Sequence, residues 1–237
     1  MIYIRSTLFH VLFFIMTLVL CLFYLWTLVL PRKWAWTILY HGYFRVIGVL
    51  EKYVLGLTYK IEGRENIPDT GPYLVAMKHQ STYETLKIFH LFGDIRIILK
   101  RQLMWLPIWG WYIWKVGMIP VNRGKKGAMK SILQNAAPVI GSGHSVLIYP
   151  QGTRVTVDTT IDQRPYKQGV IRLYNHFHIP ILPVAINAGK FWPRKSFLIK
   201  PGVVTFKILP PIPAGENPDE AFKTLKIVLE TESKKLL

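Results

Sequence analysis

The stretch Pro72–Leu91, PYLVAMKHQSTYETLKIFHL, changes character halfway along. Pro72–Met77 is a short, continuous apolar run of the kind that forms a buried strand, and Ser81–Leu91 reads as a helix. Between them lies a polar loop containing His79. A strand that passes through a polar loop into a helix is the building unit of an α/β fold. The same alternation continues on both sides. Further strands are expected at 58–62, 95–100, 118–122, 145–150, 180–187 and 203–209. Further helices are expected at Leu103–Val116, Gly127–Ile140, Lys167–His176 and Pro218–Lys235. The expected fold is α/β, with a mostly parallel central sheet flanked by helices.

Upstream of residue 58 the pattern differs. Val11–Leu30, VLFFIMTLVLCLFYLWTLVL, has only Thr17 and Thr27 as polar members. A helix of that length spans roughly 30 Å, the thickness of a bilayer's hydrocarbon core. No small-residue cleavage site follows it, and Cys21 is preceded by Leu20, so neither signal-peptide nor lipoprotein processing is expected. Arg5 lies on one side, and Arg32, Lys33 and Arg45 lie on the other, which orients the remainder toward the cytoplasm. The segment after Pro31 has His41, Arg45 and Lys52 close to one helical face. It reads as an amphipathic helix in the interface, with Trp34 and Trp36 at headgroup level, or as a buried globular helix. The expected division is an N-terminal membrane-anchoring segment, 1–57, and an α/β domain, 58–237.

Composition narrows the partners. Thirty Lys and Arg against 13 Asp and Glu give +17, which calls for a polyanionic partner such as anionic lipid, a phosphorylated substrate or nucleic acid. The 8 Trp, 12 Tyr and 12 Phe suit a membrane interface and would also suit single-stranded nucleic acid. A single cysteine excludes an intrachain disulfide and any multi-cysteine zinc site. His176-Phe-His178 lacks an acidic third ligand nearby, so no metal site is expected.

Three polar clusters follow predicted strands, and in open α/β sheets the ligand crevice lies beyond the strand C-termini. In the first, Ser81-x-x-Glu84 is a capping box. A glutamate at that position also points back toward His79, where it would fix the imidazole tautomer and leave the other nitrogen as a general base. Lys78 beside His79 would favour the neutral ring if the two side chains are close. In the second, GMIPVNRGKKG, Arg123 ends a strand, and Lys125 and Lys126 open a helix. This reads either as an anion site or as a solvated basic turn. In the third, IYPQGTR, a buried strand ends in Gln151, Gly152, Thr153 and Arg154. Gly152 permits a tight turn, and Arg154 can clamp a phosphate.

Taken in order, these blocks resemble the lysophosphatidic acid acyltransferases, the 1-acyl-glycerol-3-phosphate acyltransferases. His79 and Glu84 match that family's His-x4-Asp block. Gly117 through Arg123 match its Gly-x-x-Phe-Ile-x-Arg block. Tyr149–Arg154 match Phe-Pro-Glu-Gly-Thr-Arg, and Leu182-Pro183-Val184 match a Val-Pro-Val-type strand. Two positions depart: Glu84 stands where the family has Asp, and Gln151 where it has Glu. The resemblance implies acyl transfer from an acyl carrier protein or coenzyme A thioester to the sn-2 hydroxyl of lysophosphatidic acid, giving phosphatidic acid. It implies a catalytic pair of His79 and Glu84. Acceptor binding would fall to Arg123, Lys125, Gln151, Gly152, Thr153 and Arg154, with backbone N–H groups near Gly152 and Thr153 facing the oxyanion. No cofactor is implied beyond the thioester co-substrate, and no nucleic acid. Membrane lipids would be partners, at an inner membrane with the catalytic domain on the cytoplasmic side. The loss of charge at Gln151 keeps other acceptors open, such as glycerol-3-phosphate or a lyso-aminolipid. A non-catalytic anchored module for anionic lipid or nucleic acid would also explain the charge and the anchor.

Overall fold

A computed structural model describes residues 1–122 and 127–237. In chain order its elements are helices α1 (Ile2–Phe23), α2 (Arg32–Leu39) and α3 (Arg45–Leu50), strands β1 (Leu57–Glu62) and β2 (Leu74–Met77), helix α4 (Tyr83–Phe92), strand β3 (Arg96–Lys100), helix α5 (Trp109–Lys115), strand β4 (Ile119–Val121), helix α6 (Ala128–Gly141), strand β5 (Val146–Ile148), helix α7 (Gly169–Phe177), strand β6 (Ile181–Ile186), helix α8 (Ala188–Phe191), strand β7 (Gly202–Ile208) and helix α9 (Pro218–Lys235). The strands form one sheet in the order β1-β7-β6-β2-β5-β3-β4, and every pair is parallel except β6 with β7. The mostly parallel α/β sheet expected from the sequence is therefore present.

Because strand side chains alternate, each central strand feeds two cores. Val75, Met77, Leu147, Leu182 and Val184 pack beneath residues of α1 to α4, including Phe9, Trp36, Ile47 and Phe89. Leu74, Ala76, Val146, Ile148 and Ile181 face α6, α7 and α9. Burial on both faces is why these strands read as unbroken apolar runs rather than alternating ones.

Two expected helices are corrected. The apolar N-terminal helix runs from Ile2 to Phe23 rather than from Val11 to Leu30. Beyond it the chain tightens into a 3-10 turn, Leu25–Val29, ahead of Pro31, which cannot continue helical hydrogen bonding. The helix expected at Leu103–Val116 is divided into a 3-10 turn, Arg101–Trp105, and α5, with Pro107 between them.

Among the described residues, α1 is the one helix long and apolar enough to cross a membrane. One of its sides is joined to the α/β body. Phe9 is fully buried with its ring edge-on to Trp192, and Ser6 Oγ accepts a hydrogen bond from the Ile199 N–H. The other side leaves Ile4, Val11, Phe14, Leu18 and Leu22 exposed. The stretch 32–55 follows as almost continuous helix, with two wide turns flanking α3. His41, Arg45 and Lys52 are exposed there, as an amphipathic helix requires. Of the two tryptophans expected at headgroup level, only Trp34 is exposed. Trp36 is buried, edge-on to Phe89 at 4.8 Å, because α2 rests on α4 through that side.

Asp94 binds the start of α2 to the sheet. Its carboxylate accepts from Arg32 Nη1 and Nη2 at 3.1 and 2.7 Å, pairs with Arg96, and lies 3.5 Å from His144 Nε2. Burial pushes the Asp94 carboxyl up, but Arg32 and Arg96 outweigh it and hold it below its ordinary 3.8. A depressed carboxylate contributes stability above its unfolded value that is lost as pH falls through the folded one. Asp94→Asn is therefore expected to cost about 1.5–3 kcal/mol at neutral pH. The gap to wild type should close as the pH falls below 3.8, read from denaturant unfolding curves across that range.

Candidate active site

The C-terminal ends of β2, β3, β4 and β5 share one edge of the sheet, since these strands are parallel. His79 lies just past the end of β2. Its Nδ1 is 2.8 Å from Glu84 Oε1, and the same oxygen accepts from the backbone N–H of Gln80 and of Ser81, each at 2.8 Å. The cap and the histidine contact are thus made by one carboxylate oxygen. Ser81 completes the turn by accepting from the Tyr83 N–H at 3.1 Å. Glu84 is fully buried, and its Oε2 has no hydrogen-bond partner among the described residues. A carboxylate only accepts, so Nδ1 carries a proton, and in the neutral ring Nε2 is the nitrogen with the lone pair. The ring stacks on Tyr149 at 4.0 Å, and the backbone of the loop is held by the Val155 N–H on the His79 carbonyl at 2.7 Å. The extra methylene of Glu84 therefore still permits the contact.

Lys78 does not serve as expected. It is buried, and its ammonium pairs with Glu230 of α9 at 3.0 Å. The Tyr166 hydroxyl donates to that same carboxylate at 2.9 Å. Its charge is neutralised there rather than spent on the imidazole.

Arg154 donates to Thr82 Oγ1 at 3.0 Å, and its carbonyl accepts from Arg194 Nη1 at 2.8 Å. Neither guanidinium has a carboxylate partner among the described residues. Gly152 adopts φ 69°, a left-handed turn that glycine takes without strain, and its N–H donates to the Tyr149 carbonyl at 2.9 Å. That N–H is already committed, which removes it as a ready oxyanion donor. Gln151 is buried, with its amide nitrogen donating to the Arg164 carbonyl at 3.1 Å. Arg123 and Lys125 lie outside the described residues.

His79, Thr153 and Arg154 share a cavity of about 430 Å³ whose remaining lining is mostly apolar, including Trp36, Leu86, Phe89, Ile113 and Met118. Gln151 is not part of that lining. Residues from α1, α2 and α4 close it over the sheet, so the N-terminal helices contribute to the pocket itself. Two cations near the site escaped the sequence reading. Lys100 ends β3 and lines the cavity; its position at the C-terminal end of a strand is close to the signal that marked His79. Arg194 is distant in sequence and carried no local signal.

This arrangement has a histidine oriented by a carboxylate, an arginine without a carboxylate partner among the described residues, and a mostly apolar cavity that both line. The sequence model of the family described as Acyltransferase matches residues 58–187. The chain is 34% identical over 171 residues to a Pseudomonas aeruginosa 1-acyl-sn-glycerol-3-phosphate acyltransferase, covering 71% of this chain and 65% of that one. It is 28% identical over 173 residues to the human 1-acyl-sn-glycerol-3-phosphate acyltransferase alpha, covering 71% and 60%. The match thus spans less than two thirds of these relatives. The fold is similar to that of the 1-acyl-sn-glycerophosphate acyltransferase PlsC from Thermotoga maritima, with a TM-score of 0.79 and 23% identity over 100% of this chain and 98% of that one.

Proposed function

The chain belongs to the acyltransferase family, and on that premise we propose that it moves an acyl chain from a carrier-protein or coenzyme A thioester to the sn-2 hydroxyl of 1-acyl-glycerol-3-phosphate, giving phosphatidic acid. The observation that carries this reading is the 2.8 Å contact of His79 Nδ1 with Glu84, in a cavity shared with Arg154 and Lys100. His79 Nε2 takes the proton of the acceptor hydroxyl as its oxygen attacks the thioester carbonyl. Glu84 holds the imidazole and stabilises its cationic form. The tetrahedral intermediate collapses, the carbon–sulfur bond breaks, and the leaving thiolate takes the proton from His79. Arg154, with Lys100 and Arg194 near it, holds the acceptor phosphate, and Arg123 and Lys125 are further candidates for that role. The apolar lining of the cavity suits a fatty acyl chain. No cofactor takes part beyond the thioester.

The apolar outer side of α1 supports residence at a membrane, and the surplus of Arg32, Lys33 and Arg45 after it supports a cytoplasmic catalytic domain at an inner membrane. Gln151 bonds inward, which leaves headgroup recognition to the cations and favours a phosphomonoester over a lyso-aminolipid. The test is a panel of acceptors offered with a labelled acyl thioester to the purified protein in lipid vesicles. Lysophosphatidate is the expected substrate, and equal turnover of lysophosphatidylethanolamine would overturn phosphate recognition. Arg154→Ala is expected to raise the acceptor KM by about 10- to 100-fold with a smaller change in kcat. An unchanged KM would remove Arg154 from phosphate binding.

A further inference from the structure

The segment Leu103–Lys115 has two unlike sides. Leu103, Trp109, Tyr112 and Ile113 line the His79 cavity. Trp105, Trp111 and Trp114, by contrast, are 72%, 54% and 71% exposed. An exposed indole leaves a large apolar area in water, and such residues dispersed singly are ordinary. Three within ten residues, beside exposed Leu106, make a patch of the kind that marks an interaction surface.

Two observations identify what covers it. First, α5 packs on the end of α1 and the turn that follows, where the Tyr112 hydroxyl donates to the Cys21 carbonyl at 2.6 Å. That neighbouring region exposes Phe23, Trp26 and Val29, so the two apolar surfaces adjoin. Second, Lys100 and Arg101 precede the segment and Lys115 ends it, with no acidic residue between Lys100 and Lys115. Tryptophan flanked by lysine and arginine is the composition of a membrane interface, and the positive flanks complement anionic headgroups.

We propose that Trp105, Trp111 and Trp114 form a second membrane-insertion element, separate from α1, that seats one wall of the cavity among the headgroups of an anionic bilayer. The inference rests on the membrane residence in the reading above. Its consequence is a short route for the acceptor. The segment that touches lipid on one side lines the cavity on the other, so a lysolipid can enter from the leaflet without crossing water.

The test needs no turnover. In a Cys21→Ser background, Trp105→Cys, Trp111→Cys, Trp114→Cys and, as a control on α9, Lys223→Cys each carry one environment-sensitive fluorophore. Each protein is mixed with phosphatidylcholine–phosphatidylglycerol vesicles containing a headgroup-level quencher. Quenching at 105, 111 and 114 but not at 223 is the expected result. Protein that floats with the vesicles yet is quenched no more at those three positions than at 223 overturns this proposal alone. Failure to float overturns it together with the membrane reading. An independent arm uses the Trp105→Ser, Trp111→Ser, Trp114→Ser triple variant with Cys21 retained. The KM for a vesicle-borne acceptor should rise about tenfold, and turnover of a short-chain, water-soluble acceptor should stay unchanged. Equal losses on both acceptors would overturn the proposal.

Discussion

His79→Ala is expected to lower kcat by about 10²–10⁴-fold while leaving the acceptor KM within a few-fold of wild type. The reason lies in the division of labour around the cavity. Nε2 is the one lone pair placed to accept the hydroxyl proton in this reading, whereas the phosphate is held by cations on other loops. Removing the imidazole therefore strips an interaction made in the transition state and spares ground-state binding. Glu84→Gln sharpens the test. An amide oxygen can still accept from the Gln80 and Ser81 N–H groups, so the helix start survives, but the charge that stabilises the imidazolium is gone. Its kcat should fall between those of wild type and His79→Ala. Steady-state rates with labelled thioester, beside a melting curve for each variant, separate chemistry from misfolding. Turnover of His79→Ala within about twofold of wild type would remove the histidine from the mechanism.

The second large effect concerns stability. Lys87→Met is expected to cost about 3–5 kcal/mol, because it strands the Glu51 carboxylate in the core. Lys87 and Glu51 form an ion pair with side chains 3% and 1% exposed. The ammonium also lies over the rings of Tyr83 and Tyr59, at 5.2 and 5.9 Å. The pair joins the N-terminal helical stretch to α4, one turn beyond Glu84. Burial pushes the Glu51 carboxyl up to about 7 against the pull of Lys87. Without Lys87 that pull is gone, and a buried acid with a raised pKa favours its neutral form. Folding then loses stability as pH rises through the folded value and recovers it on acidification. Because wild-type Glu51 already titrates near 7, the penalty in Lys87→Met should widen as pH rises through that value, and be smaller in mildly acidic than in mildly alkaline buffer. Glu51→Leu combined with Lys87→Met should recover most of the loss, since an apolar pair of similar volume needs no compensation. Urea unfolding of the three proteins at both pH values measures this. A single variant within about 1 kcal/mol of wild type would show that the pair contributes little.

Local chemistry was readable wherever it was written in consecutive residues. The change from an apolar run to a polar loop to a helix at Pro72–Leu91 announced both the α/β unit and the position of His79 at a strand end. The four-residue reach of a capping box announced that Glu84 turns back. The helix at Leu103–Val116 was overextended because apolar content outweighed Pro107. Trp36 and Trp34 looked alike because two tryptophans on one amphipathic helix differ only in which side meets α4.

Other features depended on partners far away in the chain. Lys78 is neutralised by Glu230, 152 positions later, and Glu51 by Lys87 across the boundary between the N-terminal helices and α4. Arg194 meets Arg154 through a backbone carbonyl, a bond with no sequence signature. The sequence by itself determined the parallel sheet, the apolar N-terminal helix and the histidine–carboxylate pair, because strand burial, helix hydropathy and helix capping are set by neighbours within a few residues. Only the tertiary structure decided which charges are cancelled, which tryptophans face outward, and that the N-terminal helices roof the cavity beside His79. Those outcomes depend on which distant surfaces exclude water from one another, and folding alone brings such surfaces together.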